Sequence, residues 1–494
     1  MKLRDRVKSM IRDWLEIQPA QPQSIVIIEP TTFGTNVVRN QIWYRGDPAE
    51  IRQFYTQLDD GGTNTERFWA AVPQGEKVRM IHTGLPALMV DVIAGLVVAD
   101  MADIDFGDEL PGEDVWETIR EEIDWVKLIE QALKDVLSSG DGAFKLSVDP
   151  EVSQYPLVEF FPADRVEYVR QRGKITAIKF YTAKQHKGKQ YRLCETYGIG
   201  SVTYALYDGD KELPLNAING LDDLRPVTFT GDYMMAVPLI IYDSPKFRGR
   251  GKAIYESKLD CFDALDEVVS QWMDALRAGR VSKYIPKDMI PVNPENGELG
   301  EVNSFGTNFV VTEPVLSEGA RQDKIDVVQP DISYDAFLAT YTATMDMCLQ
   351  GIVSPATLGI DVGKMSSADA QREKKDITGA TRNTITTILE KVLPQLVSVI
   401  LQTYDNMQGK TPGRYSPVVT FGEYGAPSFD SRIESVAKAA AGSIMSVEAQ
   451  VDELWGNSKD DDWKQEEIAR IKRERGIDAD TDPPKIGDDL IDVE

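Results

Sequence analysis

The stretch Ile254–Ala278 reads IYESKLDCFDALDEVVSQWMDALRA and sets Leu259, Phe262, Leu265, Val269, Trp272 and Leu276 three or four residues apart. That spacing predicts a long amphipathic helix with one apolar stripe, and Gly279 is placed to end it. From Tyr334 the rhythm returns through Phe337, Leu338, Tyr341, Met345, Cys348, Leu349 and Ile352, which predicts a second long helix. Between the two, Pro286, Pro291, Pro294, Pro314, Gly297, Gly300 and Gly306 separate short β-rich runs such as Asn308–Thr312. Two helices bracketing a compact insertion predict an antiparallel hairpin with the insertion at its far tip.

On the N-terminal side the pattern is mixed. Ile175–Tyr181 and Ser201–Tyr207 alternate as half-buried strands do, and Val158–Phe161 is strand-like. Arg172-Gly173 and Asp208-Gly209 are hairpin signals, with Lys187-Gly188 a weaker one. Helical spacing appears over 48–58 and over 115–137, so the unit is expected to be α+β. On the C-terminal side, 354–365 (SPATLGIDVGKM) reads as a short mobile loop, and Ser366-Ser-Ala-Asp369 as a capping box opening a long helix kinked near Pro394. Pro417–Phe421 is a strand candidate that returns to the β-rich region. Helices are expected over 433–454 and 462–475, followed by a disordered tail over 477–494 with seven acids against Lys485. Met1–Ser24 has no assigned role beyond a short helix carrying Val7, Ile11, Trp14 and Leu15.

The chain has 494 residues, 54 Lys+Arg and 80 Asp+Glu, for a net charge of −26. Such a surface repels phosphate and disfavours general nucleic-acid binding. The 42% apolar content is that of a chain with real cores. The N-terminus lacks a signal-peptide pattern. The apolar run Leu85–Ala99 falls short of the roughly 20 residues of a spanning helix, so no membrane segment is expected. Cys194, Cys261 and Cys348 lie far apart and read as buried thiols. With only His82 and His186 and no metal-ligand spacing, neither a metal nor a cofactor is expected, and His82 reads as structural.

Two phosphate-loop near-misses fail. Gly359-Ile-Asp-Val-Gly363-Lys364-Met365 has three residues between its glycines, and Met365 stands where a Mg²⁺-binding hydroxyl is needed. Arg248-Gly249-Arg250-Gly251-Lys252-Ala253 lacks the first glycine and the hydroxyl. Nucleotide hydrolysis is not expected, nor is any catalytic residue. The segment 243–252 still stands out, because Lys246, Arg248, Arg250 and Lys252 oppose only Asp243. It reads either as a solvated loop or as a contact for phosphates or an acidic partner.

Several stretches occur in a recognisable order: Asn40-Gln-Ile-Trp-Tyr-Arg-Gly46 with Phe54-Tyr55, Arg67-Phe-Trp69 leading to Met80-Ile-His-Thr-Gly-Leu-Pro86, the 251–280 helix, and 354–396. They end on Ser446-Val-Glu-Ala449, Leu454-Trp-Gly456, Trp463 and Glu467-Ile-Ala-Arg-Ile471. In this order the chain resembles the portal proteins of tailed bacteriophages, in particular the long-tailed type with a mixed α+β body.

The resemblance implies a non-enzymatic subunit of a ring, usually twelve-fold, at one capsid vertex in the virion, assembled in the host cytoplasm. Double-stranded DNA would be packaged, retained and ejected through it. By that likeness 1–250 and 376–427 form a discontinuous wing, 251–280 and 331–353 the stem, and 281–330 the clip. The clip would meet the terminase and later a head-completion adaptor, with capsid and scaffold proteins as further partners and no membrane. Leu358, Gly359, Ile360, Asp361, Val362, Gly363, Lys364 and Met365 would form the DNA-facing part of a tunnel loop over 354–365, 366–375 the start of the kinked helix, and 428–476 a crown. The alternatives are a homo-oligomeric scaffold that never meets DNA and a nucleotide-dependent DNA-processing enzyme.

Overall fold

A computed structural model describes residues 32–57, 67–70, 78–107, 113–218, 220–221, 224–279, 282–286, 308–312, 326–328, 332–360, 368–422, 429–442, 444–456 and 461–475. The fold is mixed α+β, in two units, Met1–Gly422 and Glu423–Glu494.

The first unit opens with α1 (Phe33–Arg45), α2 (Pro48–Gln57), α3 (Leu85–Ala99), α4 (Glu113–Glu122) and α5 (Trp125–Ser139). The Thr32 side chain accepts from Thr35 N at 3.2 Å and starts α1, and Gly46 in the left-handed region ends it. The apolar rhythm over 115–137 is split between α4 and α5, because Asp124 adopts φ 49°, which a continuing helix does not tolerate. α3 buries Met89, Val90, Ala94 and Val97 completely in the core.

The strands follow as β1 (Asp141–Ser147), β2 (Leu157–Pro162), β3 (Val166–Gln171), β4 (Lys174–His186), β5 (Lys189–Gly198), β6 (Ser201–Asp208), β7 (Lys211–Leu213), β8 (Val227–Thr228) and β9 (Ala236–Ile240). One sheet has the order β2-β1-β9 and the other β3-β4-β5-β6-β7 with β8 on β6, every pair antiparallel. All three sequence-expected turns form. Arg172 and Lys187 take φ 51° and 48° before their glycines, so the weaker Lys187-Gly188 signal closes a full hairpin.

Then come α6 (Leu259–Ala278), β10 (Ser282–Pro286), β11 (Asn308–Thr312), β12 (Asp326–Val328), α7 (Tyr334–Leu349) and α8 (Ala368–Met407). α6 and α7 are antiparallel. At one end Lys258 Nζ donates to Met347 O at 2.9 Å; at the other Trp272 stacks on Phe337 at 6.0 Å, and a Cβ on Gly279 would strike Ile332 Cδ1 at 2.5 Å. The insertion begins and ends in a small sheet, β11-β10-β12, with β10 parallel to β11 and antiparallel to β12. Within α8, Ile377–Met407 is long and apolar enough to cross a membrane by length and composition alone. Its Leu389, Leu393, Leu396, Val397 and Ile400 are fully buried, and the helix packs on β9 and α3, so the core accounts for that stripe. Pro417–Phe421 is no sheet strand: Val418 and Phe421 make single bridges to Asp105 and Met101.

A polar stripe on α6 fixes the hairpin to the body. Asp260 pairs with Arg67, and Asp263 accepts from Phe68 N at 2.9 Å and Trp69 N at 3.3 Å. Asp266 accepts from Trp69 Nε1 at 3.1 Å, Thr83 N at 2.9 Å and Thr83 Oγ1 at 3.0 Å, with His82 Nδ1 2.7 Å away. One turn on, Ser270 Oγ receives Ile81 N at 2.9 Å. Burial pushes the Asp263 carboxyl up, against the two amides that favour its charged form. His82 is structural, packed edge-on against Trp43 and Trp69. Cys194 and Cys348 are buried, Cys261 is partly so, and all three are free.

The second unit holds α9 (Phe429–Ala441), α10 (Val447–Trp455) and α11 (Asp461–Glu474). The single helix expected over 433–454 is broken before Ser446, whose hydroxyl caps α10 by accepting from Ala449 N. Glu448 pairs with Lys472, which holds its carboxyl down at about 2, and Trp455 meets Trp463 edge-on at 5.6 Å.

Replacing Asp266 with Ala strands three buried donors and the His82 ring nitrogen. The expected cost is about 3–5 kcal/mol, read as a lower denaturant midpoint for the first unit. A loss below about 0.5 kcal/mol would contradict this account of the joint.

Candidate functional site

The sequence points to two places, the 354–365 loop and the basic segment 243–252, and the structure brings both to the base of the α6–α7 hairpin. The chain leaves α7 through Gly351 (φ 79°) and is at once tied to α8. Ser354 N donates to Thr378 Oγ1 at 2.9 Å, and Thr381 Oγ1 donates to Ile352 O at 2.6 Å. Thr357 N and Ile360 N return to Ser354 O and Pro355 O at 3.0 Å each. The first half of the loop is therefore anchored by a tight turn, contrary to the mobile loop expected from its Ser-Pro and glycines. Leu358 turns into the core and is 8% exposed, Gly359 lies at the surface with φ 71°, and Ile360 packs partly against the core. Asp361, Val362, Gly363, Lys364 and Met365 lie outside the described residues, as do nearly all of 281–330 beyond its three strands and the tail 477–494.

The basic segment folds back on itself as a tight strap. Ser244 N donates to Arg250 O at 2.9 Å, Arg250 N to Phe247 O at 3.1 Å and Lys252 N to Tyr242 O at 2.9 Å, while Ser244 Oγ accepts from Phe247 N at 3.1 Å. Arg250 turns inward. Its Nη2 and Nε donate to Asp141 Oδ1 and Oδ2 at 2.7 and 2.8 Å, and Nη2 and Nη1 also reach Ala163 O at 2.9 Å and Val166 O at 3.0 Å. Phe33 covers the guanidinium at 3.8 Å. Asp141 is fully buried and also receives Gly251 N at 2.7 Å. Here the backbones touch, since a Cβ on Gly251 would lie 2.1 Å from Gly140 O. Arg250 is thus spent on the fold and is not a free contact for phosphate. Its role escapes a local reading because Asp141 lies 109 residues away.

Lys246 and Arg248 are exposed and Lys252 is half-buried; among the described residues none of the three pairs with a carboxylate. Lys252 lines a cleft of about 500 Å³ between the strap, the end of α7 and the start of α8, with Lys258, Gly351, Thr381 and Thr384 on its other walls. Burial pushes the Tyr242 phenol in the same cleft up to about 12. The arrangement offers cations and hydroxyls beside the loop. Among the described residues no cluster of His, Cys, Asp and Glu could hold a metal ion.

A comparison with known protein families finds no match, and none of the curated proteins matches. Solved structures with partial similarity include two particle necks. One is the neck of an empty GTA particle computed with C6 symmetry, 15% identical over 76% of this chain and 90% of that chain, with a TM-score of 0.42. The other is the neck of a native GTA particle computed with C12 symmetry, 14% identical over 78% of this chain and 90% of that chain, with a TM-score of 0.35.

The four cations of the strap separate by mutation. Arg250→Ala leaves the Asp141 carboxylate buried with one backbone donor and is expected to cost about 3–5 kcal/mol in denaturant unfolding. Arg250→Lys recovers only part of that, because an ammonium cannot reproduce the paired contacts. Lys246→Ala and Arg248→Ala should stay within about 0.5 kcal/mol. Equal effects at Arg250, Lys246 and Arg248 would show that Arg250 is not the joint described.

Proposed function

We propose that the chain is the non-enzymatic subunit of a ring-shaped connector, a portal, through which double-stranded DNA is packaged, held and released at one vertex of a virus-like particle. The observation that carries this reading is the α6–α7 hairpin. It is pinned to the body at its base, carries a small sheet at its tip, and leaves several large apolar side chains exposed among the described residues. Met273, Leu276, Tyr334, Leu338 and Met347 are 39%, 47%, 55%, 40% and 48% exposed. Side chains of this size prefer to be covered, and completing the burial of each contributes roughly 1 kcal/mol. A second copy presenting its own hairpin alongside would cover them, and repetition about an axis closes a ring.

In this reading 1–250 and 376–427 are the wing, 251–280 and 331–353 the stem, 281–330 the clip and 428–476 the crown. The clip would meet the terminase motor and later the head-completion adaptor, and capsid and scaffold proteins would surround the ring. The tunnel loop would be 354–365, with its described part anchored at Ser354–Ile360 and the lone Lys364 as its contact for passing phosphates. Lys246, Arg248 and Lys252 lie at the same end of the hairpin and would supply a second ring of contacts. A subunit charge of −26 suits a conduit that must not grip its cargo. The reading rests on the hairpin, the order of sequence features and the charge, rather than on the two neck structures.

Negative-stain images of the purified chain are expected to show rings with a central hole, and Leu276→Asp with Leu338→Asp to give monomers with an unchanged far-ultraviolet spectrum. Monomers of the wild-type chain in every buffer would overturn the proposal. Lys364→Glu should leave rings intact and change the amount of DNA in assembled particles; unchanged packaging would remove the loop from the channel.

A further inference from the structure

The β4–β5 hairpin carries charge of the opposite sign to the rest of the chain. Ala183–Arg192 (AKQHKGKQYR) contains Lys184, Lys187, Lys189 and Arg192 and no acid. Among the described residues none of the four forms an ion pair. Lys184, Lys187 and Lys189 also stand on a part of the hairpin that projects, with Arg192 at its root. β3 accompanies β4 only as far as Phe180, and β6 accompanies β5 only from Arg192 onward. From the Lys184↔Tyr191 pair to the turn at Lys187 and Gly188, the two strands run on with no third strand beside them among the described residues.

The projecting part is held in shape. The ladder from Ala177↔Gly198 to His186↔Lys189 is unbroken, and the turn has the left-handed angles that match strand twist. The Arg192 guanidinium lies 4.9 Å from the Tyr181 ring and 5.9 Å from the Tyr207 ring, so aromatic faces orient it without a carboxylate. Strand alternation puts Lys184 and Lys189 on one face and Arg192 on the other, with Lys187 at the turn. Lys184 and Lys189 are diagonal neighbours, about 7–8 Å apart at the backbone. Grouping like charges this closely weakens a hairpin unless something outside compensates.

We propose that this ribbon is a docking element for the phosphodiester backbone of duplex DNA. Three features favour DNA over an acidic protein. A two-stranded ribbon fits a groove about 12 Å wide. Cations on both faces and at the turn can reach phosphates on both walls of that groove. The tip residues 184–190, KQHKGKQ, also include no large apolar side chain of the sort that anchors a protein interface. Asp208, Asp210 and Glu212 stand around the β6–β7 turn, and Glu167, beside the Tyr181 ring, is engaged by Lys179 and the Tyr181 hydroxyl. Glu212 pairs with Tyr207, which pairs with Arg192, so it lies two strands across, about 10 Å away. Screening over about 8 Å at physiological salt weakens its opposition. The site is on the sheet, away from the hairpin stem and loop, and needs no ring.

The test is fluorescence anisotropy of a labelled 20-base-pair duplex with the full-length protein, titrated with sodium chloride. Wild type is expected to bind with a log–log salt slope of about −3, as three to four phosphate contacts give. The variant Lys184→Gln/Lys187→Gln/Lys189→Gln, with an unchanged unfolding midpoint, should bind at least tenfold more weakly and lose most of the slope. Arg52→Gln/Lys410→Gln, which removes two exposed cations elsewhere on the chain, should keep the slope. An unaltered slope in the triple variant, or no salt-dependent binding by wild type, overturns the proposal. So does a polyglutamate peptide of equal charge that binds as tightly as the duplex, since an acidic protein would then be the better partner. None of these results depends on whether the chain forms rings.

Discussion

A carboxylate taken wholly out of water must be satisfied, and Asp266 in the middle of α6 is the clearest such demand in the chain. It meets the demand with Trp69, Thr83 and His82, drawn from two short segments nearly two hundred residues earlier. Those segments have almost no regular structure, and their position is set by α6. The same carboxylate holds His82 between Trp69 and Trp43, and Trp43 packs on Phe262 one turn back along α6. Any rotation of α6 about its axis would leave at least three donors unpaired and break that aromatic group. The base of the hairpin therefore has one allowed register on the body, and everything farther along it inherits that orientation.

Two more joints work on the same principle. Arg250 fastens the strap to β1 through Asp141, where the Gly140 and Gly251 backbones meet too closely for any side chain. Arg382 on α8 donates to Asp100 at the end of α3 and to Gly422 O. Buried charge pairs like these add little net stability over an apolar contact, but they are severely penalised when mismatched. Their value here is registry. The hairpin, strap and long helix meet the body at specified residues, so that the loop between α7 and α8 starts from a fixed place.

What could be read from the sequence follows from how local each feature is. The apolar stripes of α6 and α7 repeat within a few turns, and the turns at Arg172 and Lys187 are two-residue events, so all were visible. The break at Asp124 was hidden because the apolar spacing runs through it on both sides. The end of α9 was hidden in the same way. Asp260, Asp263 and Asp266 have the spacing of a solvated helix face; only the segments that cover them, remote in sequence, reveal that two of the three are buried. Arg250 is indistinguishable from its neighbours Arg248 and Lys252 until Asp141 is placed beside it. Leu358 was taken with its loop, although its apolar side chain belongs to the core. The basic ribbon left a local trace, ten residues without an acid, but its projection depends on where β3 and β6 stop.

A charge of −26 gives an average that hides how the cations are sorted. Some are consumed internally: Arg250 by Asp141, Arg382 by Asp100, and Lys145, 9% exposed at its side chain, between Glu159 and Glu195. Each of these lies within the body and holds remote segments together. Among the described residues, cations without a carboxylate partner also occur singly, as at Arg52, Lys211 and Lys410, but two groups of them stand close together in the chain, on the strap beside the hairpin base and toward the free end of the β4–β5 ribbon. A chain with 80 acids could easily have neutralised them; nearby carboxylates exist, and in neither place do they come within ion-pair distance. For a molecule surrounded by its own negative field, such points decide where a polyanion can approach. The long-range repulsion keeps contact from spreading over the surface, because screening confines each unpaired cation's attraction to about a Debye length. The net charge and the local exceptions are thus one device, with the first limiting how tightly a polyanion is held and the second fixing where.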